Sequence, residues 1–185
     1  MSYGITDSIL AISTPAGQSL RAIIRLSGKN VLDLLKSVFI PDDCGVVSLE
    51  KAFNSCRGNL YLEREKVRVP VYIYFMRSPN SYTREDVVEI HTFGSPPLLE
   101  MLMEALLSSL KEDGGNENKI EVTEDIRIAE PGEFTKRAFL NGRISLAEAE
   151  SVIHIIRSRT DSELLIAVSN LKGKLTGSMN SVQEE

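Results

Sequence analysis

Residues Glu85–Phe93 read EDVVEIHTF, and their alternation decides what kind of fold to expect. On an extended chain Val88, Ile90 and Thr92 fall on one side, and Val87, Glu89, His91 and Phe93 on the other, because successive strand side chains point to opposite faces. The first side is apolar enough to join a core. The second mixes a carboxylate and an imidazole with apolar groups.

Neighbouring segments repeat the pattern. Val67–Met76 places Val67, Val69, Val71, Ile73 and Phe75 on one face and forms a hairpin with Asn54–Leu62 around Glu63–Lys66. Pro70 has no N–H to donate, which predicts an edge or a bulge there. Such an apolar edge is a pairing surface for a second copy of the chain. Ser8–Thr14 and Leu20–Ser27 flank a Pro15-Ala16-Gly17 turn, with Leu20, Ala22, Ile24 and Leu26 on one face and Arg21, Ile23, Arg25 and Ser27 on the other. Val31–Phe39 has helical spacing that ends before Pro41. Pro96–Leu110 reads as a helix, 112–118 as a Gly- and Asn-rich loop, and Val122–Ala129 as a strand. Strands interleaved with single helices predict an α/β domain with a mixed sheet over residues 1–143.

Composition changes at Asn141-Gly142. Ser145 with Glu148 forms a capping box, and Leu146, Ala149, Ile153, Ile156, Ala167, Leu171 and Leu175 trace an apolar stripe at helical spacing. Residues 144–185 therefore read as one long helix, with Thr160 and Gly173 as candidate breaks. A single amphipathic helix of this length needs partner helices, so it reads as the first helix of an all-α domain whose remainder lies outside this sequence.

The chain of 185 residues carries 21 basic and 26 acidic side chains with no block of like charge, which disfavours RNA binding by this segment alone. Cys44 and Cys56 form no CxxC pair and lie in no histidine cluster, so they read as reduced thiols. No Arg or Lys precedes Arg21, and no apolar run approaches membrane-spanning length. A soluble, cytoplasmic protein without a membrane partner is expected. No GxxxxGK[ST] string occurs; Gly173-Lys174-Leu175-Thr176 lacks the upstream glycine, so GTP hydrolysis is not expected of this chain. His91 has only His154 as a second histidine and no third ligand at metal spacing, so it reads as a hydrogen-bonded interior histidine. No GxSxG or other nucleophile arrangement is present.

Three segments remain distinctive: TPAGQSLRAIIRLSG at Thr14–Gly28, NSYTREDVVEIHTFG at Asn80–Gly94, and AEPGEFTKRAFLNGRISLAEAE at Ala129–Glu150. In order and spacing, together they resemble the N-terminal region of the MnmE (TrmE) family of tRNA-modifying GTPases. The resemblance implies a fold similar to the folate-binding domain of glycine-cleavage aminomethyltransferase. It also implies a tetrahydrofolate derivative, 5-formyl- or 5,10-methylene-tetrahydrofolate, as one-carbon donor for the 5-carbon of a wobble uridine. Implied partners are a second copy in a homodimer, the flavoprotein MnmG, and tRNA through the assembled complex. GTP, magnesium and potassium belong to a GTPase domain outside this sequence.

The matched positions make chemical sense. A reduced pterin presents an amino group beside a ring N–H, two parallel donors that the Glu89 carboxylate can accept. Arg25 offers a planar fork for a ring carbonyl or the glutamate tail, and its competing role is a surface partner for a nearby acid. Arg143 stands where many relatives carry lysine and could reach an anionic tail. Phe134 and Asn141 are expected to shape turn and core. After Glu89, relatives read HGHGG or HCHGG, whereas His91–Pro96 here has lost a glycine. Two alternatives therefore stay open: an aminomethyltransferase acting directly, and a dimerisation module with a degenerate folate pocket.

Overall fold

The computed structural model describes residues 7–42, 53–108 and 126–171. The chain divides into two compact units, Met1–Phe134 and Thr135–Glu185.

Seven strands form one sheet in the first unit: β1 (Ser8–Ile12), β2 (Ser19–Ser27), β3 (Phe39–Pro41), β4 (Phe53–Leu62), β5 (Val67–Met76), β6 (Val87–Gly94) and β7 (Ile126–Ile128), in the order β3-β4-β5-β6-β2-β1-β7. Strands β1 and β7 pair parallel and the other neighbours antiparallel, so the sheet is mixed. Two helices, α1 (Val31–Val38) and α2 (Pro96–Ser108), bury Val31, Leu34, Leu99, Leu102 and Leu106 in one cluster with Leu10, Ile24, Leu60, Ile73, Phe75, Val88 and Ile90. That cluster is the core, and it is the apolar side that alternation picks out on each strand. Prolines fill the first two positions of α2, where an N–H would find no helical acceptor. The β4–β5 turn closes with Lys66 in the left-handed region at φ 56.

Four expectations are corrected. Pro70 lies in β5, between β4 and β6, not on an edge strand. It is tolerated because the β5–β6 ladder runs only over Tyr72–Met76, so Pro70 stands where that side of β5 has no strand partner. Most of the apolar row beside it is not an open pairing surface: Val69, Val71, Ile73 and Phe75 are at most 4% exposed, within the chain's own core, and Val67 alone of the five is 47% exposed. Leu20 leaves the core face and is 88% exposed, because the β2–β6 register shifts between Ser19 and Ala22. Cys56 is held in a disulfide, not as a reduced thiol; folding can join cysteines that no CxxC spacing announces. Cys44 and the whole of the 112–124 segment lie outside the described residues.

Helix α3 (Glu133–Leu140) forms in the segment where Phe134 and Asn141 are expected to shape turn and core. It ends in a glycine cap: Gly142, at φ 69, donates to Phe139 O at 2.9 Å, while the Arg143 N–H reaches back to Ala138 O at 2.8 Å. The change of composition at Asn141-Gly142 is thus a helix terminus. In the second unit, α4 (Leu146–Arg157) opens with the predicted box: Glu148 N–H donates to Ser145 Oγ at 3.3 Å and Ser145 N–H to the Glu148 carboxylate at 2.7 Å. Hydrogen bonding to the carboxylate from the Ser145 N–H, foremost, and from the Ser145 hydroxyl holds the Glu148 pKa below its ordinary value.

The single long helix is instead two, α4 and α5 (Asp161–Leu171). Ser158 turns extended at ψ 135, Thr160 Oγ1 accepts from Glu163 N–H at 3.3 Å, and the Glu163 carboxylate accepts from Arg159 N–H at 2.8 Å. A second local capping arrangement therefore outcompetes helix continuation at the predicted Thr160 break. Gly173 lies outside the described residues.

Candidate functional site

Two of the sequence-predicted site residues meet. Arg25 on β2 and Glu89 on β6 are direct cross-strand partners on the face opposite the core. Arg25 gives Glu89 Oε1 two contacts, from Nη2 at 2.7 Å and Nε at 2.9 Å, with side chains 31% and 18% exposed. The other carboxylate oxygen is 3.3 Å from His91 Nε2. His91 is hydrogen-bonded as expected but half-buried on the face opposite the core, not interior, and its bond runs along the strand to the residue two positions before it. Each oxygen of Glu89 already has a protein partner.

Aromatic rings frame this pair. The Arg25 guanidinium lies over Phe134 at 5.7 Å from the ring centre, so Phe134 shapes the surroundings of Arg25 rather than the core. Tyr74, opposite Glu89 on β5, tilts against His91 with ring centres 4.7 Å apart. Sequence reasoning named the buried row of β5 and passed over its other row, although VRVPVYIYFM sets Tyr72 and Tyr74 there by the same alternation. Tyr74 and His91, though not Phe134, line a cavity of about 420 Å3 together with Leu20, Tyr72 and Phe93.

The distinctive segment before Glu89 is explained by packing. Ser27 Oγ lies 2.7 Å from Thr83 Oγ1 and 2.6 Å from Glu85 Oε2, Ser81 Oγ donates to Glu85 O at 2.5 Å, and Ser78 N–H to Asp86 Oδ1 at 2.9 Å. With Ser27, Ser81 and Thr83 buried, NSYTRED forms a tight loop that seats the start of β6 against β2. The altered glycine pattern after Glu89 also has a place. Gly94 pairs with Ser19, and a Cβ there would collide with the Ser19 hydroxyl and come within 2.8 Å of its carbonyl oxygen. The surviving glycine is thus required by the strand, which runs on through His91, Thr92 and Phe93.

Glu133 of the PGEFT segment is buried and accepts two bonds from Arg127, at 2.6 and 2.8 Å, plus the Glu130 N–H at 2.8 Å. Arg127 also reaches Asp7 at 2.7 Å. The Glu133 hydrogen bond raises the Arg127 pKa, with desolvation opposing and Asp7 adding. This cluster ties β7 and the PGEF turn to the strand start at Ser8. The third predicted residue, Arg143, belongs to the second unit, where it is exposed just after the α3 cap. No group of three metal-ligating side chains occurs, and no helix is long and apolar enough to cross a membrane, among the described residues.

A mixed-sheet α/β unit carrying a buttressed Arg–Glu pair on one face, continued by capped helices, defines the class. The chain belongs to the family described as GTP-binding protein TrmE N-terminus, which it matches over residues 8–143. It is similar to the tRNA modification GTPase MnmE of Lactococcus lactis subsp. cremoris (strain MG1363), 40% identical over 179 residues, covering 97% of this chain and 35% of the relative. The protein of the same name from Carboxydothermus hydrogenoformans is 40% identical over 180 residues, covering 97% and 36%, and that from Alkaliphilus oremlandii 36% over 182 residues, covering 98% and 36%. The chain spans about a third of the length of these curated relatives.

Proposed function

We propose that this chain is the N-terminal part of a tRNA modification GTPase, and that its α/β unit binds a tetrahydrofolate one-carbon donor used at the 5-carbon of a wobble uridine. The supporting observation is the Arg25–Glu89 pair: a carboxylate and a guanidinium fork, partly exposed, joined through His91 to a cavity with an aromatic lining that the pair itself does not enter. Glu89 would accept from the pterin amino group and ring N–H, and Arg25 would donate to the ring carbonyl. His91 and Phe134 would hold those two side chains in place. By resemblance, Arg143 is a candidate contact for the first carboxylate of the anionic tail, which leaves any further carboxylates to other cations. An aminomethyltransferase-like fold, a cytoplasmic homodimer, and work with MnmG on tRNA belong to the same reading, with GTP hydrolysis left to a domain outside this sequence.

Titration with 5-formyltetrahydrofolate tests it. Glu89→Gln puts an amide donor against the pterin donors and removes a charge-assisted bond of roughly 1.5–3 kcal/mol, so affinity should fall about ten- to a hundredfold. Equal affinity in both proteins would return Glu89 to an ion-pairing role. Light scattering of the chain should report a dimer, and a monomer would remove that part of the proposal.

A second reading, a dimerisation module with a degenerate pocket, draws on the occupancy of both Glu89 oxygens by Arg25 and His91. It expects a dimer and no heat of folate binding.

A further inference from the structure

The cavity beside the Arg25–Glu89 pair has a charge pattern of its own. Among the described residues its lining includes two guanidinium groups, Arg21 and Arg57, and no carboxylate. Arg21 reaches it because of the irregularity in β2: the register shift between Ser19 and Ala22 leaves Leu20 and Arg21 exposed and turned to the cavity. Arg57 stands over the Tyr72 ring at 5.8 Å. Its Nε is 3.4 Å from Asp42, an exposed and long pair that competes weakly for it.

Register places these cations relative to Glu89. Arg57 on β4 faces Tyr72 on β5, which faces His91 on β6, two positions along from Glu89. Strands are about 4.8 Å apart and residues rise about 3.4 Å each, so Arg57 stands on the order of 12 Å from Glu89 across the face. The intervening surface is Tyr72, Tyr74 and His91. A ligand anchored by Glu89 and lying over these rings would bring its far end to Arg57 and Arg21.

We infer that Arg21 and Arg57 bind the carboxylates of a γ-linked oligoglutamate tail, so that this unit prefers oligoglutamyl to monoglutamyl folate. The inference rests on the folate reading above and extends it to substrate form. A first glutamate lies near the aromatic stretch, and each further residue adds a carboxylate within reach of a rim cation, where charge-assisted bonds form and salt screens them.

Calorimetric titration of the whole chain with 5-formyltetrahydrofolate carrying one or three glutamates tests this. The wild type should bind the triglutamate about tenfold more tightly, with the gap narrowing as salt is raised. In the Arg21→Ala/Arg57→Ala double variant the two forms should bind within about twofold of each other. Both side chains are exposed, and an unchanged thermal midpoint verifies that the variant is folded. Monoglutamate binding by wild type with no triglutamate preference, or a preference that survives in the double variant, overturns the inference and leaves the folate reading standing. Failure of both forms to bind the wild type overturns both.

Discussion

On one face of the sheet Ile24, Val88 and Ile90 are fully buried, with Ile73 and Phe75 within 3% of it, beneath α1 and α2. One residue along on the same strands, Arg25, Glu89, His91 and Tyr74 remain partly exposed, while Tyr72 and Phe93 are more than half exposed. The same alternation creates both faces, so the difference lies in what the residues are asked to do. The core face is interchangeable in kind: branched aliphatics that fill volume. The other is specific in kind, with a charge pair, a histidine on it, and rings at set positions. Polar groups held by named partners and left partly open to solvent are what a ligand face needs and what a core cannot tolerate unpaired.

The largest expected effect tests whether the faces differ in stability. Phe75→Ala should cost about 3–5 kcal/mol, the usual result of emptying a core aromatic site. Tyr72→Ala, one strand face away, should stay within about 0.5 kcal/mol. Urea unfolding measures both. Comparable losses would show that Tyr72 belongs to a second core and would erase the contrast.

A middle-sized effect concerns where the faces meet. Gly94→Ala forces a methyl into Ser19, and the expected cost is roughly 1–3 kcal/mol. Because Ser19 begins the irregular stretch that sets Leu20 and Arg21 at the cavity, folate affinity should fall alongside the thermal midpoint. A variant that loses stability and keeps full affinity would separate the strand end from the cavity.

Alternation made the long strands legible, since Val69 through Phe75 and Val88 with Ile90 carry their burial in their spacing. The Ser145 capping box was legible because both partners lie within one turn. Strand β3 was not: Phe39–Pro41 is three residues long and exists because Gly58 opposite lets it approach, a Cβ there lying 2.6 Å from the Phe39 ring. Helix α3 was masked by its own cap, since Asn141-Gly142 signals a loop as readily as a helix end. At the site, the shared face of Glu89 and His91 could be read locally. Their connection to Arg25 needed strand pairing across 64 positions, and the stacking of Phe134 on Arg25 needed the PGEF turn to fold back. Pairings of that reach are set by tertiary register, which no local spacing encodes.

The smallest expected effect bears most directly on the meaning of the second face. A double-mutant cycle with Arg25→Gln, Glu89→Gln and both together isolates the coupling of the pair in urea unfolding. Side chains 31% and 18% exposed lie between the surface and buried regimes, and a coupling of about 0.5–1 kcal/mol is expected, shrinking as salt is raised. His91 moderates the loss further, since it stays beside whatever occupies position 89. If the pair served stability, removing one partner would strand a charge and cost about 3 kcal/mol or more, as buried pairs do. A small coupling in unfolding together with a large effect of Glu89→Gln in folate titration would mean that the pair's main contribution is to ligand. A large coupling with no folate effect would make the second face structural after all, and the difference between the faces would be one of packing style alone.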